Sequence, residues 1–185
     1  VIGLGYPGGP KIDAEARGGR RDAVRFPRSR LSGNPLDFSF SGLKTAALHF
    51  VNQLEQRARR QGKETWELFS RRDFAASYQE AIVSVLAEHS LEAARQEGIE
   101  TITIAGGVAA NSALRARLGE ACRERGLRFF APPPVLCTDN ALMIASLGGF
   151  MAAGGAEAAP LDLDAEPSLR IEDFACLAEP AADHL

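Results

Sequence analysis

Three short stretches of this chain carry residues whose types and spacing could do chemistry. In "YPGGPKID" (6–13), Gly8 and Gly9 stand between Pro7 and Pro10, and Asp13 follows a few residues on. Such a loop makes a tight turn and lets a ligand approach the backbone closely. Asp13 then either accepts from a ribose hydroxyl or caps a helix. In "TITIAGGVAANSALRARL" (101–118), Gly106 and Gly107 fall between a β-branched run and a helix-forming run, with Asn111 next. Ligands of α/β sheets bind outside strand ends of this kind, and a helix N-terminus offers N–H groups and a positive dipole end. Asn111 reads either as a helix cap or as a contact to a base or ribose. The pattern is neither GxGxxG nor a Walker loop. In "CTDNALMIA" (137–145), Asp139 precedes an apolar helix, as its N-cap or as a metal-ligating carboxylate. The histidines, His49, His89 and His184, have no HxxxH spacing and lie in unrelated segments.

These loops need elements to hold them. A short helix is predicted over 10–17. "AVRFPR" (23–28) and "LDFSFSG" (36–42) alternate like strands, with "SGNP" (32–35) as their turn. A helix over 43–59 follows, with Leu43, Ala47, Phe50, Val51 and Leu54 on one stripe and His49 off it. Residues 60–72 read as a polar linker. A long helix spans about 73–97, capped by Asp73 or Ser70, with His89 on its apolar face as a buried, hydrogen-bonded histidine. Then come a strand ending at the glycine pair, a helix over 111–125 closed by Gly126, and a strand "LRFFAPP" halted by Pro132 to Pro134. The last helix, in "TDNALMIASLGGFMAAGG", is apolar enough to expect burial. Helix–strand–helix–strand–helix predicts an α/β lobe. Beyond Gly154 the Ala-, Asp-, Glu- and Pro-rich tail predicts extended, poorly ordered chain.

The 185 residues suit one domain or one lobe of a larger fold, and 45% hydrophobic with 24% charged residues predicts a packed core. A net charge of −3 gives no overall basic footprint. Locally, "RGGRRDAVRFPRSR" (17–30) holds Arg17, Arg20, Arg21, Arg25, Arg28 and Arg30 against Asp22, as a solvated loop or a phosphate-contacting surface. Cys122, Cys137 and Cys176 form no CxxC pair, which predicts a reducing, cytoplasmic setting. No apolar run predicts a membrane span. The chain opens on "VIGLGYPGGP" without a Met and reads as a fragment.

Taken together, "YPGGPKID", "DFSFSGLKT", "IAGGVAANSALR" and "CTDNALMIA" resemble, in this order and at similar intervals, the tRNA adenosine threonylcarbamoyltransferase (TsaD) family, formerly called O-sialoglycoprotein endopeptidases. The resemblance covers about residues 1–170. It implies the α/β fold of actin, sugar kinases and heat-shock ATPases, mainly its C-terminal lobe with a helical insertion. Residues 1–154 would belong to that domain and 155–185 to the tail. The implied reaction transfers threonylcarbamoyl from threonylcarbamoyl-adenylate to the exocyclic amine of the adenosine next to the anticodon. The tRNAs concerned read codons that begin with A. Gly9, Asp13 and Asn111 would contact the adenylate, with the backbone of Gly106 and Gly107 near the nucleoside. Asp139 would ligate a divalent metal, iron by resemblance, with zinc or magnesium as alternatives. The family's HxxxH histidines, its serine- and glycine-rich loop and an aspartate upstream of YPGGP are not among these residues, so the chain alone is expected to be inactive. Implied partners are tRNA, a paralogous helper subunit and an ATPase subunit (TsaB and TsaE), and no membrane. Lys44 and the arginine patch are candidate tRNA contacts. The alternatives are a small-molecule O-carbamoyltransferase domain and a non-catalytic helper subunit of the same complex.

Overall fold

The computed structural model describes residues 2–28, 36–162, 164, 167, 168 and 170. It divides into two units, Val1–Thr138 and Asp139–Leu185, which are taken in turn.

The first unit is built on one long helix. The elements before it are α1 (Gly8–Glu15) and α2 (Ser41–Gln61), and the long helix is α3 (Arg71–Glu97). After it come β1 (Thr101–Thr103), α4 (Ser112–Glu124) and β2 (Arg128–Phe130). Ser70 caps α3 by accepting from the Asp73 N–H at 3.1 Å, and Gly98, at φ 63°, ends it in the left-handed region. Its first turns are hidden on successive positions, Phe74, Ala75, Ala76 and Ser77, because it packs on several sides. Alanines at 75 and 76 let α1 come close through Ile12 and Ala16. The predicted stripe of α2 buries Leu43, Ala47, Val51 and Leu54, and Ala47 and Val51 meet Phe74 in an aromatic-rich cluster.

Further along α3, Val83 and Ala87 pack on Leu114 and Leu118 of α4, with Ile104 and Phe129 beside them. β1 and β2 pair in parallel, with Ile102 opposite Phe129, and α4 is their crossover. A helix between parallel strands is the expected connection, since a tight turn cannot join them.

The strands expected at 23–28 and 36–42 do not form. Residues 23–28 lie in neither helix nor strand, and α2 begins at Ser41. The alternation of Val24 and Phe26 has a different cause. Phe26 sits edge-on to Phe74 and Tyr78 at 5.5 Å, so this segment is a strap packed on α3. Its backbone is tied by side chains: the Val24 N–H donates to Ser77 Oγ at 3.1 Å, and that hydroxyl donates to the Arg20 carbonyl at 3.1 Å. Gly19 lies so near α3 that a Cβ there would stand 2.5 Å from the Arg72 carbonyl oxygen. The expected turn at 32–35 lies outside the described residues.

Residues 60–72 are not a linker. Glu64 and Glu67 form a capping box on a 3-10 turn at Thr65–Glu67, and Trp66 and Phe69 pack on the aromatic cluster. His89 is half-buried, and its Nδ1 donates to the Leu36 carbonyl at 2.9 Å.

In the second unit, α5 (Ala141–Ala153) is capped by Asn140, whose Oδ1 accepts from the Met143 N–H at 3.3 Å. The capping role open to Asp139 therefore belongs to its neighbour. The expected burial of α5 is not observed: none of its residues is buried, and Leu142, Met143, Ile144, Leu147 and Phe150 are exposed. Hydropathy reports a demand for cover, and the described residues do not meet it. Beyond α5 the described residues form neither helix nor strand.

Candidate functional site

The N-terminus of α4 gathers most of the residues singled out by sequence. The glycine pair leads out of β1. Gly106 has φ 78° and ψ 177°, a conformation an L side chain rarely adopts, so glycine is required there by the backbone itself. Gly107 differs. Its φ is ordinary and a Cβ at that position would meet no atom within 4 Å, as at Gly8 and Gly9. Nothing among the described residues demands glycine at these three places.

Residues Gly107–Ala110 form a 3-10 turn, and the chain then extends at Asn111 (φ −63°, ψ 123°) to cap α4. Asn111 Oδ1 accepts from the Leu114 N–H at 2.9 Å, and its Nδ2 donates to Gln79 Oε1 on α3 at 2.9 Å. The cap reading of Asn111 thus holds, and the side chain gains a partner that no local pattern announced.

Asp13 lies on the buried face of α1, 8% exposed. Its carboxylate accepts from the Ser112 hydroxyl at 2.8 Å and the Ser112 N–H at 3.3 Å. It does not cap its own helix; it serves the first N–H of α4 instead, ninety-nine residues away. A negative charge at that helix end is favourable. It also occupies the electrostatic place that an anion would take. With Ser112 and Leu114 amides already engaged, this end of α4 suits a neutral hydrogen-bonding group better than a phosphate.

Arg115, one turn into α4, was not foreseen. Its Nε donates to the Ala109 carbonyl, and its Nη2 donates to the Pro132 carbonyl and lies 3.0 Å from Cys137 Sγ. One guanidinium therefore links the turn after β1 to the proline loop after β2. Cys137 and Cys122 are buried and free, and burial pushes the Cys122 thiol up; Cys176 and His184 lie outside the described residues.

Half of the arginine patch is ion-paired to α3 at the surface. Arg20 pairs with Asp73 at 3.2 Å and Arg28 with Glu88 at 3.1 Å. Arg21 and Arg117 share Glu80. These acids recur every seven or eight residues along α3, one face of the helix, so the patch fastens the strap. Arg17 and Arg25 are exposed, as is Lys44 in the first turn of α2; Arg30 lies outside the described residues.

Asp139 is exposed and belongs to the second unit. A carboxylate is a hard donor that suits a divalent cation, but one ligand does not make a site. Among the described residues no three His, Cys, Asp or Glu side chains gather to hold a metal, so these residues by themselves do not fit one. Among them, too, no helix is long and apolar enough to cross a membrane.

Residues 1–146 match the family model of tRNA N6-adenosine threonylcarbamoyltransferase, TsaD. Proteins carrying that name include one from Clostridium botulinum (strain 657 / Type Ba4), 42% identical over 171 residues, which are 92% of this chain and 48% of the relative. Another, from Symbiobacterium thermophilum, is 47% identical over 168 residues, 91% of this chain and 46% of the relative. One from Clostridium perfringens (strain 13 / Type A) is 42% identical over 171 residues, 92% of this chain and 48% of the relative. The chain spans about half the length of the curated relatives it matches. By the extent of the family match, it belongs to the tRNA N6-adenosine threonylcarbamoyltransferase family.

Proposed function

We propose that this chain forms one wall of the acyl-donor site of a tRNA-modifying transferase. The reaction is transfer of threonylcarbamoyl from threonylcarbamoyl-adenylate to N6 of the adenosine next to the anticodon, in tRNAs reading codons that begin with A. The observation that carries this reading is the Asp13–Ser112 contact, which ties the PGGP helix to the start of α4 within a chain of that family. Two stretches ninety-nine residues apart, one holding Gly8 and Gly9 and the other Gly107, none of which a described contact requires to be glycine, are thereby linked through their helices.

In the proposed step the adenosine N6 lone pair attacks the carbamoyl carbon. The N–C bond forms, the bond from that carbon to the phosphate oxygen breaks, and AMP leaves with the electron pair while the amine proton passes to solvent. A mixed anhydride needs little covalent help, so the protein's task is orientation. Asn111 meets the nucleoside, and the backbone at Gly9, Gly106 and Gly107 lets the donor come close. Asp13 acts from behind, by holding Ser112 and with it α4. Asp139 is the residue we assign to a divalent metal, iron first and zinc or magnesium next, whose remaining ligands lie outside residues 1–185; no step is derived through it. We further assign the actin-like fold, the helper and ATPase subunits as partners, and a cytoplasmic location.

Depleting the protein in its own cells tests the reading. Nucleosides from purified tRNA should show N6-threonylcarbamoyladenosine falling by more than tenfold by mass spectrometry, with recovery on re-expression. An unchanged level after depletion would sink it.

A further inference from the structure

Gln79 lies outside every motif considered above, yet it is half-buried on α3 and touches the one side chain assigned to the nucleoside. The Leu114 N–H can only donate, so the atom of Asn111 facing it must be Oδ1. The opposite end of the amide is then Nδ2, which needs an acceptor, and Gln79 Oε1 supplies it at 2.9 Å. The two contacts together determine which way round the Asn111 amide sits. One contact comes from the helix that Asn111 caps; the other comes from a different helix, thirty-two residues back.

We propose that Gln79 is a positioning residue of the donor site, which holds Asn111 so that it meets the nucleoside as an N–H donor through its second Nδ2 hydrogen. The complementary ligand group is an uncharged acceptor, such as a ribose oxygen or a purine ring nitrogen. This agrees with the electrostatics at the start of α4, where the Asp13 carboxylate disfavours an anion. Without Gln79, Asn111 keeps its cap but its amide can swing, and part of the bound geometry has to be ordered on each encounter.

The proposal rests on the functional reading above, and kinetics of the complete protein separate the two. Transfer from threonylcarbamoyl-adenylate to tRNA is measured for the wild type, Gln79→Met, Gln79→Glu, Asn111→Ala, Asn111→Asp and the double variant Gln79→Met with Asn111→Ala. Gln79→Met keeps the length and loses the acceptor. It should raise KM for the acyl-adenylate about tenfold, the size of one lost hydrogen bond, with kcat within about twofold. Gln79→Glu still accepts from Nδ2 and should stay within about threefold of the wild-type KM. Asn111→Asp keeps the cap oxygen and loses the donor, so KM should rise about tenfold or more with the melting temperature little changed. The double variant should be no worse than Asn111→Ala alone, because Gln79 acts through Asn111. A wild-type KM in Gln79→Met, a Gln79→Glu defect as large as that of Gln79→Met, or additive losses in the double variant each overturn the positioning role while leaving the transferase reading intact. Absence of transfer by the wild type, or an unaffected Asn111→Ala, overturns the functional reading and the proposal with it.

Discussion

Gly106 and Gly107 are neighbours with different reasons for being glycine. At Gly106 the reason lies in the backbone, held at φ 78° where a Cβ is strained. Gly106→Ala should therefore cost about 1–2 kcal/mol and lower the melting temperature whether or not ligand is present. At Gly107 the chain leaves open space and an ordinary φ. Gly107→Ala should leave the melting temperature within about a degree and weaken acyl-adenylate binding about tenfold or more; unchanged binding would remove Gly107 from the site. Asn111 was readable as a cap because capping is a local affair of three residues. Asp13 was not, because its partner Ser112 lies ninety-nine residues away. Arg115 escaped for a related reason: an arginine reaching back over its own helix start has the same sequence as one pointing into water.

At the scale of elements, helices were legible because their apolar stripes are written every three to four residues, and α1, α2, α3 and α4 all form near their expected bounds. The strand expected over 23–28 is instead a strap because alternation says only that one side of the chain is buried, not against what; here it is buried against α3. The fastening of that strap is sensitive to acid. The Arg20 backbone N–H, and then its guanidinium, hold the Asp73 carboxyl below its ordinary value of 3.8. A depressed folded value means that the unfolded chain takes up protons first as pH falls. The contribution is then present above the ordinary value and lost as pH drops toward the folded one. Asp73→Asn should be less stable than the wild type at pH 7, with the gap narrowing as pH falls below 3.8 in chemical-denaturation curves. The Glu92 carboxyl, held at about 2 mainly by Arg95, shifts both proteins alike and cancels in the comparison. A gap independent of pH would assign Asp73 a neutral capping role only.

For the molecule as a whole, about half of each relative's length aligns with this chain, and Asp139 is the one residue within it that we propose as a metal ligand. Purified residues 1–185 supplied with threonylcarbamoyl-adenylate and tRNA should form no threonylcarbamoyladenosine above the rate without protein; product from that chain would show that the wall described here is the whole site. The order of elements from α3 to α5 was legible, and so was the apolar character of α5. What covers α5 was not, because hydropathy specifies the need for a neighbour without naming one.

The grip of Arg115 on both loops has a practical consequence. Cys137 is sealed beneath that guanidinium, whereas Cys122 is sealed within the packing of α3, α4 and the sheet. A thiol-modifying reagent can reach Cys137 when the loop between β2 and α5 lifts, but reaches Cys122 only when the core parts. The two cysteines are thus a pair of built-in clocks, and the ratio of their labelling rates reports how often the loops beside the site breathe while the domain beneath them stays folded.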